Sequence, residues 1–348
     1  MEIRADIYLG DSAEQLKRIP DNSVDLIITS PPYADQRKNS YGGISVNKYV
    51  EWFLPISKEL FRVLKPSGTF ILNIKEKVQN GERSTYVLEL ILEMKKQGWL
   101  WTEEFIWHKK NSYPGKWPNR FRDAWERLLQ FNKSKKFNMY QEEVMVPTGD
   151  WAKSRLKNLS ETDKERDNSK VGSGFGKNIS NWLDREKAYP TNVLHLATEC
   201  NNKNHSAAFP EGLPEWFIKL FTKEHDIVLD PFMGSGTTNF VAQRMRRNSI
   251  GIEIKPEYYN MVKQELQQCE LVLFEPIEKY GKAIDQSSDT VCETEHRQLP
   301  PKPYRQIKKA KAKNLNVVDA TCLDVIKTHD LIKDYLNKGF EILYIGKH

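Results

Sequence analysis

The chain has 348 residues, of which 39% are hydrophobic and 29% charged, with a formal net charge of +6. That length can bury one large core and carry an insertion or appendage beside it. No apolar run approaches the roughly 20 residues that cross a bilayer as a helix, and the start, Met-Glu-Ile-Arg-Ala-Asp, lacks the apolar stretch of a signal peptide. Cys200, Cys269, Cys292 and Cys322 are far apart and form no CxxC or Cys/His cluster. A soluble cytoplasmic protein with reduced thiols, no bound metal and no membrane partner is therefore expected.

The positive charge is concentrated. Residues 109–187 hold 18 Lys and Arg against 11 Asp and Glu, whereas the rest of the chain holds 35 against 36. A solvated loop region or an anionic partner such as DNA would both account for that segment.

In chain order, Ile3–Leu9 reads as a strand ended by Gly10-Asp11-Ser12, with Ser12 the candidate N-cap of a short helix over Ala13–Ile19. Val24–Thr29 is a β-branched and aliphatic run bounded by turn signals, the pattern of a short buried strand. Ser30-Pro31-Pro32-Tyr33 cannot continue a central strand, because two prolines remove two donors and hold φ near −65°. The stiff turn places a hydroxyl, backbone carbonyls and an aromatic face at the carboxyl end of the strand, where open α/β sheets bind ligands.

A polar, glycine-containing loop is expected over 33–47. Tyr49–Leu64 has helical apolar spacing, with Trp52 and Phe53 read as core. Lys65-Pro66-Ser67-Gly68 should stop that helix before a strand at Thr69–Ile74, followed by a helix at Tyr86–Gln97 and a strand at Trp99–His108. Such alternation implies a mostly parallel sheet with helices on both faces. Asn111–Arg122 is basic and interleaved with aromatics, and Asp123–Phe131 is compatible with a helix.

Later, Asp226–Asp230 is a buried strand running into Pro231-Phe232-Met233-Gly234-Ser235-Gly236-Thr237-Thr238 and a helix over Asn239–Arg246. Gly234 and Gly236 permit φ > 0 and close approach of a ligand, and the helix start offers N–H groups to an anion. No Gly-Lys-Ser/Thr follows, so this is not a phosphate P-loop, and Asn239 breaks the dinucleotide Gly-x-Gly-x-x-Gly pattern. Ser249–Glu253 is the next strand. It ends in a carboxylate at about the distance where nucleotide-binding α/β folds place a ribose ligand.

Ser-Pro-Pro-Tyr first and Asp-Pro-Phe-x-Gly-Ser-Gly-Thr-Thr later, in this order, resemble the β group of DNA amino-methyltransferases over about residues 6–268. The resemblance implies a Rossmann-like α/β fold dependent on S-adenosylmethionine, with double-stranded DNA as partner. It implies catalytic roles for Ser30, Pro31, Pro32 and Tyr33. Cofactor contacts would come from Asp11 (for which a capping role is equally open), Asn204, His205, Phe209, Asp230, Phe232, Gly234, Ser235, Gly236, Thr237 and Glu253. DNA contacts are expected from Lys116, Trp117, Arg120, Arg122, Lys153, Arg155 and Lys177. Ser at the first motif position implies cytosine N4 as the acceptor, with adenine N6 as the alternative. A homodimer and a restriction endonuclease acting on the same site are partners in keeping with the family.

The implied organisation is a catalytic half at 1–114, a target-recognition region at 115–190, a cofactor-binding half at 191–275, and a linker with a small C-terminal appendage at 276–348. A methyltransferase for RNA or for a protein amide, and a non-catalytic DNA-binding subunit, are the rival readings.

Overall fold

The computed structural model describes residues 3–35, 43–111, 119–148, 186–198 and 209–274, and the strand residues 309–312 and 315–318. The chain divides into two compact units, Met1–Lys263 and Gln264–His348. In the second, Lys309–Ala312 pairs antiparallel with Leu315–Val318.

The first unit is built on eight strands: β1 (Ala5–Leu9), β2 (Val24–Thr29), β3 (Leu64–Ile74), β4 (Leu100–Lys109), β5 (Trp125–Asn132), β6 (Val193–Leu196), β7 (Ile227–Asp230) and β8 (Asn248–Glu253). Their order across the sheet is β1-β8-β7-β2-β3-β5-β4-β6. Among the described strands of this sheet, only β5 runs antiparallel to its neighbours. The helices are α1 (Ser12–Gln15), α2 (Val46–Val63), α3 (Tyr86–Lys96), α4 (Gly212–Phe221), α5 (Thr237–Arg244) and α6 (Pro256–Phe274).

All six residues of β2 are buried, which is why its sequence is a continuous apolar run rather than an alternating one. Successive side chains still leave on opposite faces. Ile27 joins a core with Phe53, Leu60, Leu90 and Phe131, while Leu26 and Ile28 join a second core with Leu128, Phe217 and Val241. Each such side chain contributes roughly 1.5–3 kcal/mol when fully buried. The first core lies under α2 and α3. In α2, Tyr49, Phe53, Ile56, Leu60 and Val63 form the buried stripe. Pro55 sits on its exposed side, where the carbonyl it leaves unbonded meets water.

Two sequence expectations change here. Residues 123–131, compatible with a helix, instead hold the strand β5, wedged between β3 and β4. Leu128, Leu129, Gln130 and Phe131 are buried on both faces, so tertiary packing overrides the helix preference of Glu, Arg, Leu and Gln. Second, β3 begins at Leu64, because a register shift between Val24 and Leu26 absorbs Lys65-Pro66-Ser67-Gly68 into the strand. Gly68 is needed there, since a Cβ would sit 2.8 Å from the Asp25 carbonyl.

The amino ends of the central strands are stapled by Asp25. Its carboxylate accepts from Lys65 Nζ at 2.7 and 2.8 Å and from the Ile227 backbone N–H at 2.9 Å, linking β2, β3 and β7. Asp25 is 6% exposed. Asp25→Ala should therefore lower the unfolding free energy by about 2–4 kcal/mol, measurable as a lower urea midpoint. A change under about 0.5 kcal/mol would show the staple to be idle.

Candidate active site

The two motif strands meet in the sheet: β2 and β7 are hydrogen-bonded neighbours, with Leu26 opposite Val228 and Ile27 opposite Leu229. At their carboxyl ends the last residue of each touches the other. Thr29 Oγ1 donates to Asp230 Oδ1 at 2.7 Å, Thr238 Oγ1 donates to Asp230 Oδ2 at 2.8 Å, and the Phe232 N–H donates to Oδ1 at 3.1 Å. Burial pushes the Asp230 carboxyl up to about 6, the largest influence on it, against the three donors that hold it down. Asp230, expected among the cofactor contacts, is thus the staple that shapes the turn.

The turn itself needs glycine. Gly236 has φ 79°, and a Cβ there would lie 2.9 Å from Phe240 and from Val262. Gly234 has φ 56°, and its N–H donates to Glu253 Oε2 at 2.8 Å. Glu253 Oε1 accepts from the Lys255 N–H at 2.8 Å. Ser12 Oγ donates to the Pro231 carbonyl, and the Gly10 N–H donates to the Glu253 carbonyl. The carboxyl ends of β1, β8 and β7 are thereby drawn into one rim holding Asp11, Glu253 and the glycine turn. No side chain caps α5, so its positive end remains available to an anion. Ser235 and Thr237 are half-buried on that turn.

Phe232 packs on Trp52 and Phe53 at ring-centre distances of 5.7 and 6.4 Å. The helix expected from Ala13 starts one residue earlier, at Ser12, and the capping role left open for Asp11 is the one observed: Asp11 accepts from the Ala13 N–H at 2.9 Å, while Ser12 faces inward to Pro231. Asp11 is exposed, so capping leaves it on the rim. Phe209, expected near the cofactor, is 7% exposed and belongs to the core beneath α4. An aromatic next to proline at a helix start is as often a packing anchor, and here it is one.

On the other side of the junction, Ser30-Pro31-Pro32-Tyr33 leaves the sheet. Ser30 Oγ lies 3.3 Å from the Tyr33 hydroxyl, which donates to Glu126 Oε2 at 2.7 Å and lies 3.2 Å from Asn73 Oδ1. Asn73 Nδ2 reaches Glu126 Oε2 at 3.2 Å and the Arg127 carbonyl at 3.1 Å. Lys109 Nζ pairs with Glu126 Oε1. Burial, then the Glu126 charge, hold the Tyr33 hydroxyl well above its ordinary pKa, so it stays a donor. The sequence reading missed Asn73, Lys109 and Glu126. They come from β3, β4 and β5, and no local signal joins them.

Of the basic residues expected on DNA, Arg120 and Arg122 are described. Arg120 lies 3.5 Å from Asp123, and Arg122 is exposed. Lys116, Trp117, Lys153, Arg155, Lys177, Asn204 and His205 lie outside the described residues. Among the described residues no group of three or more His, Cys, Asp or Glu could hold a metal ion.

Because the folded Asp230 binds its proton more tightly than an unfolded Asp, its stabilising contribution is complete below about pH 4 and is lost as pH rises through about 6. Relative to Asp230→Asn, the natural chain should therefore lose roughly 3 kcal/mol across that window, read from denaturant unfolding at several pH values. A gain over the same window would mean that the three donors outweigh burial.

Comparison with known proteins places this geometry. A family model described as DNA methylase matches residues 24–264, and one described as LytB protein matches residues 302–348. The Type II methyltransferase M.PvuII of Proteus hauseri is 34% identical over 275 residues, covering 72% of this chain and 80% of the relative. M.HpaI of Haemophilus parainfluenzae, also a Type II methyltransferase, is 31% identical, covering 75% of this chain and 73% of its own. Among solved structures, the PvuII DNA methyltransferase (cytosine-N4-specific) superposes with a TM-score of 0.57 at 29% identity, covering 75% of this chain and 85% of its own. With the family model spanning well over half its length and both motif strands meeting in the sheet, the chain belongs to the DNA methylase family.

Proposed function

We propose that the chain transfers a methyl group from S-adenosylmethionine to the exocyclic N4 of cytosine in double-stranded DNA. The observation that carries this reading is the Thr29–Asp230 contact, which sets the Ser-Pro-Pro-Tyr turn beside the glycine turn. The residues present fit that cofactor: an uncapped helix start for a carboxylate, glycines in the left-handed region, and the acidic Asp11 and Glu253 at adjoining strand ends. When bound, the cofactor supplies an electrophilic methyl on a sulfonium.

The chain's own residues then have separable tasks. Gly234, Ser235, Gly236 and Thr237 hold the amino-acid end, and Phe232 gives an apolar wall. Asp11 and Glu253 address the nucleoside, with Asn204 and His205 assigned to cover it. A cytosine amine is a poor nucleophile because its lone pair is delocalised into the ring. Ser30 Oγ and the Pro31 carbonyl accept hydrogen bonds from its two N–H groups, which favours the geometry in which the lone pair is free to attack in line; as the N–C bond forms the methyl–sulfur bond breaks, the thioether leaves, and one N–H proton is released to solvent. The Tyr33 ring stacks on the flipped base, and Pro32 keeps the turn stiff. Positioning and preorganised acceptors supply the rate. Glu126, by accepting the Tyr33 hydroxyl's hydrogen bond, fixes the orientation of that ring.

Residues 115–190 outside β5 are assigned to target recognition, with Lys116, Trp117, Arg120, Arg122, Lys153, Arg155 and Lys177 on DNA. The Type II names of the relatives favour a role beside a restriction endonuclease of the same specificity. No helix among the described residues is long and apolar enough to cross a membrane, in keeping with a cytoplasmic place of action.

Incubation with S-adenosylmethionine and unmethylated DNA, then nucleoside mass spectrometry, should yield N4-methylcytosine. N6-methyladenine would overturn the choice of base. Ser30→Ala should reduce turnover by about 100-fold or more while S-adenosylmethionine binding, followed by calorimetry, stays within about threefold. Full turnover in that variant would remove Ser30 from the mechanism.

A further inference from the structure

Beyond the residues already assigned, the catalytic end of the sheet carries an aromatic side chain that the fold itself does not use. Phe121 is 94% exposed, far more than Trp125 at 37% or Trp101 at 41%. Single exposed apolar residues are common on protein surfaces, so exposure alone decides nothing. Its mounting does. Two residues on, Asp123 is gripped by Arg83 Nη2 at 2.6 Å, Lys75 Nζ at 3.2 Å and Arg120 Nη1 at 3.5 Å. Lys75 directly follows β3, and Arg83 lies in the short hairpin formed by Val78–Gln79 and Glu82–Arg83. The loop bearing Phe121 is therefore fixed to the sheet while its ring stands in water. Arg120 and Arg122 flank it in sequence, giving the ring a basic collar.

Its position relative to the chemistry follows from the chain. Glu126, which holds the Tyr33 hydroxyl, is five residues after Phe121. At no more than about 3.6 Å per residue, the Phe121 Cα lies within roughly 18 Å of the Glu126 Cα. An enzyme that takes a base out of a duplex leaves a gap in the stack. Apolar side chains inserted between base steps offset the unstacking cost of such deformations.

We infer that Phe121 enters the base stack when the target cytosine leaves it, acting as a positioning residue that holds the flipped state open. This rests on the proposed methylation of a base in double-stranded DNA. Because the ring contributes little to the core, its replacement should leave the fold intact.

The test uses the full chain and two duplexes carrying the site mapped from its methylated DNA, one fully paired and one with the target cytosine mispaired. On the paired duplex Phe121→Ala should lower kcat/KM by about tenfold or more, with Phe121→Trp retaining most activity. On the mispaired duplex, where extrusion is cheaper, Phe121→Ala should come within about threefold of the natural chain. Equal loss on both duplexes, or no loss on either, would overturn the wedge. The fluorescence of 2-aminopurine at the target position gives a second readout: it should rise with the natural chain and stay low with Phe121→Ala on paired DNA. If the natural chain itself methylates neither duplex while still binding S-adenosylmethionine, the proposed activity fails and the wedge falls with it.

Discussion

Everything at the carboxyl edge of this sheet depends on one buried hydrogen bond, from the Thr29 hydroxyl to the Asp230 carboxylate. The two residues end adjacent parallel strands, and each opens a turn that must not move: one with two prolines, the other with two glycines. Stiffness is obtained differently on the two sides. Pro31 and Pro32 restrict their own φ, whereas Gly234 and Gly236 are intrinsically loose and are held by outside partners. Glu253 grips the first by its N–H, and Phe240 and Val262 crowd the second. A junction of this kind fixes the spacing of the two turns through the strands that carry them.

The pocket is also electrostatically asymmetric. Asp230 is a carboxylate in a dry site, raised by burial toward neutrality. Glu126, equally buried at 6% exposure, is compensated by Lys109 and by the Tyr33 proton. The Ser-Pro-Pro-Tyr turn therefore rests on a compensated charge, while the glycine turn rests on one that burial disfavours. Buried ion pairs cost as much to assemble as they return; their use here is to fix an orientation.

Much of this was legible in the residues. Val24–Thr29 formed a strand with the expected bounds, because a continuous apolar run between turn signals admits few alternatives. The glycine turn and its following helix were legible for the same local reason, although α5 starts at Thr237 rather than Asn239. What was hidden depends on partners remote in sequence. β5 carries Glu, Arg, Leu and Gln and looks helical until β3 and β4 close on it. Glu126 looks like a surface charge until Lys109 and Tyr33 meet it. Ser12 and Asp11 both read as caps, and the choice between them is settled by the Pro231 carbonyl, 219 positions away, which draws Ser12 inward.

The pairing of β2 with β7 spans about 200 residues, and synthesis at roughly 5–20 residues per second would leave β2 waiting on the order of 10–40 s for its neighbour. During that interval one edge of an almost wholly apolar strand lacks its final partner, an invitation to pair with another nascent chain. Asp25 stands at the amino end of that edge, where a charge discourages such pairing. The carboxylate that later binds Lys65 and Ile227 in the finished sheet would thus serve first as a guard on the unfinished one.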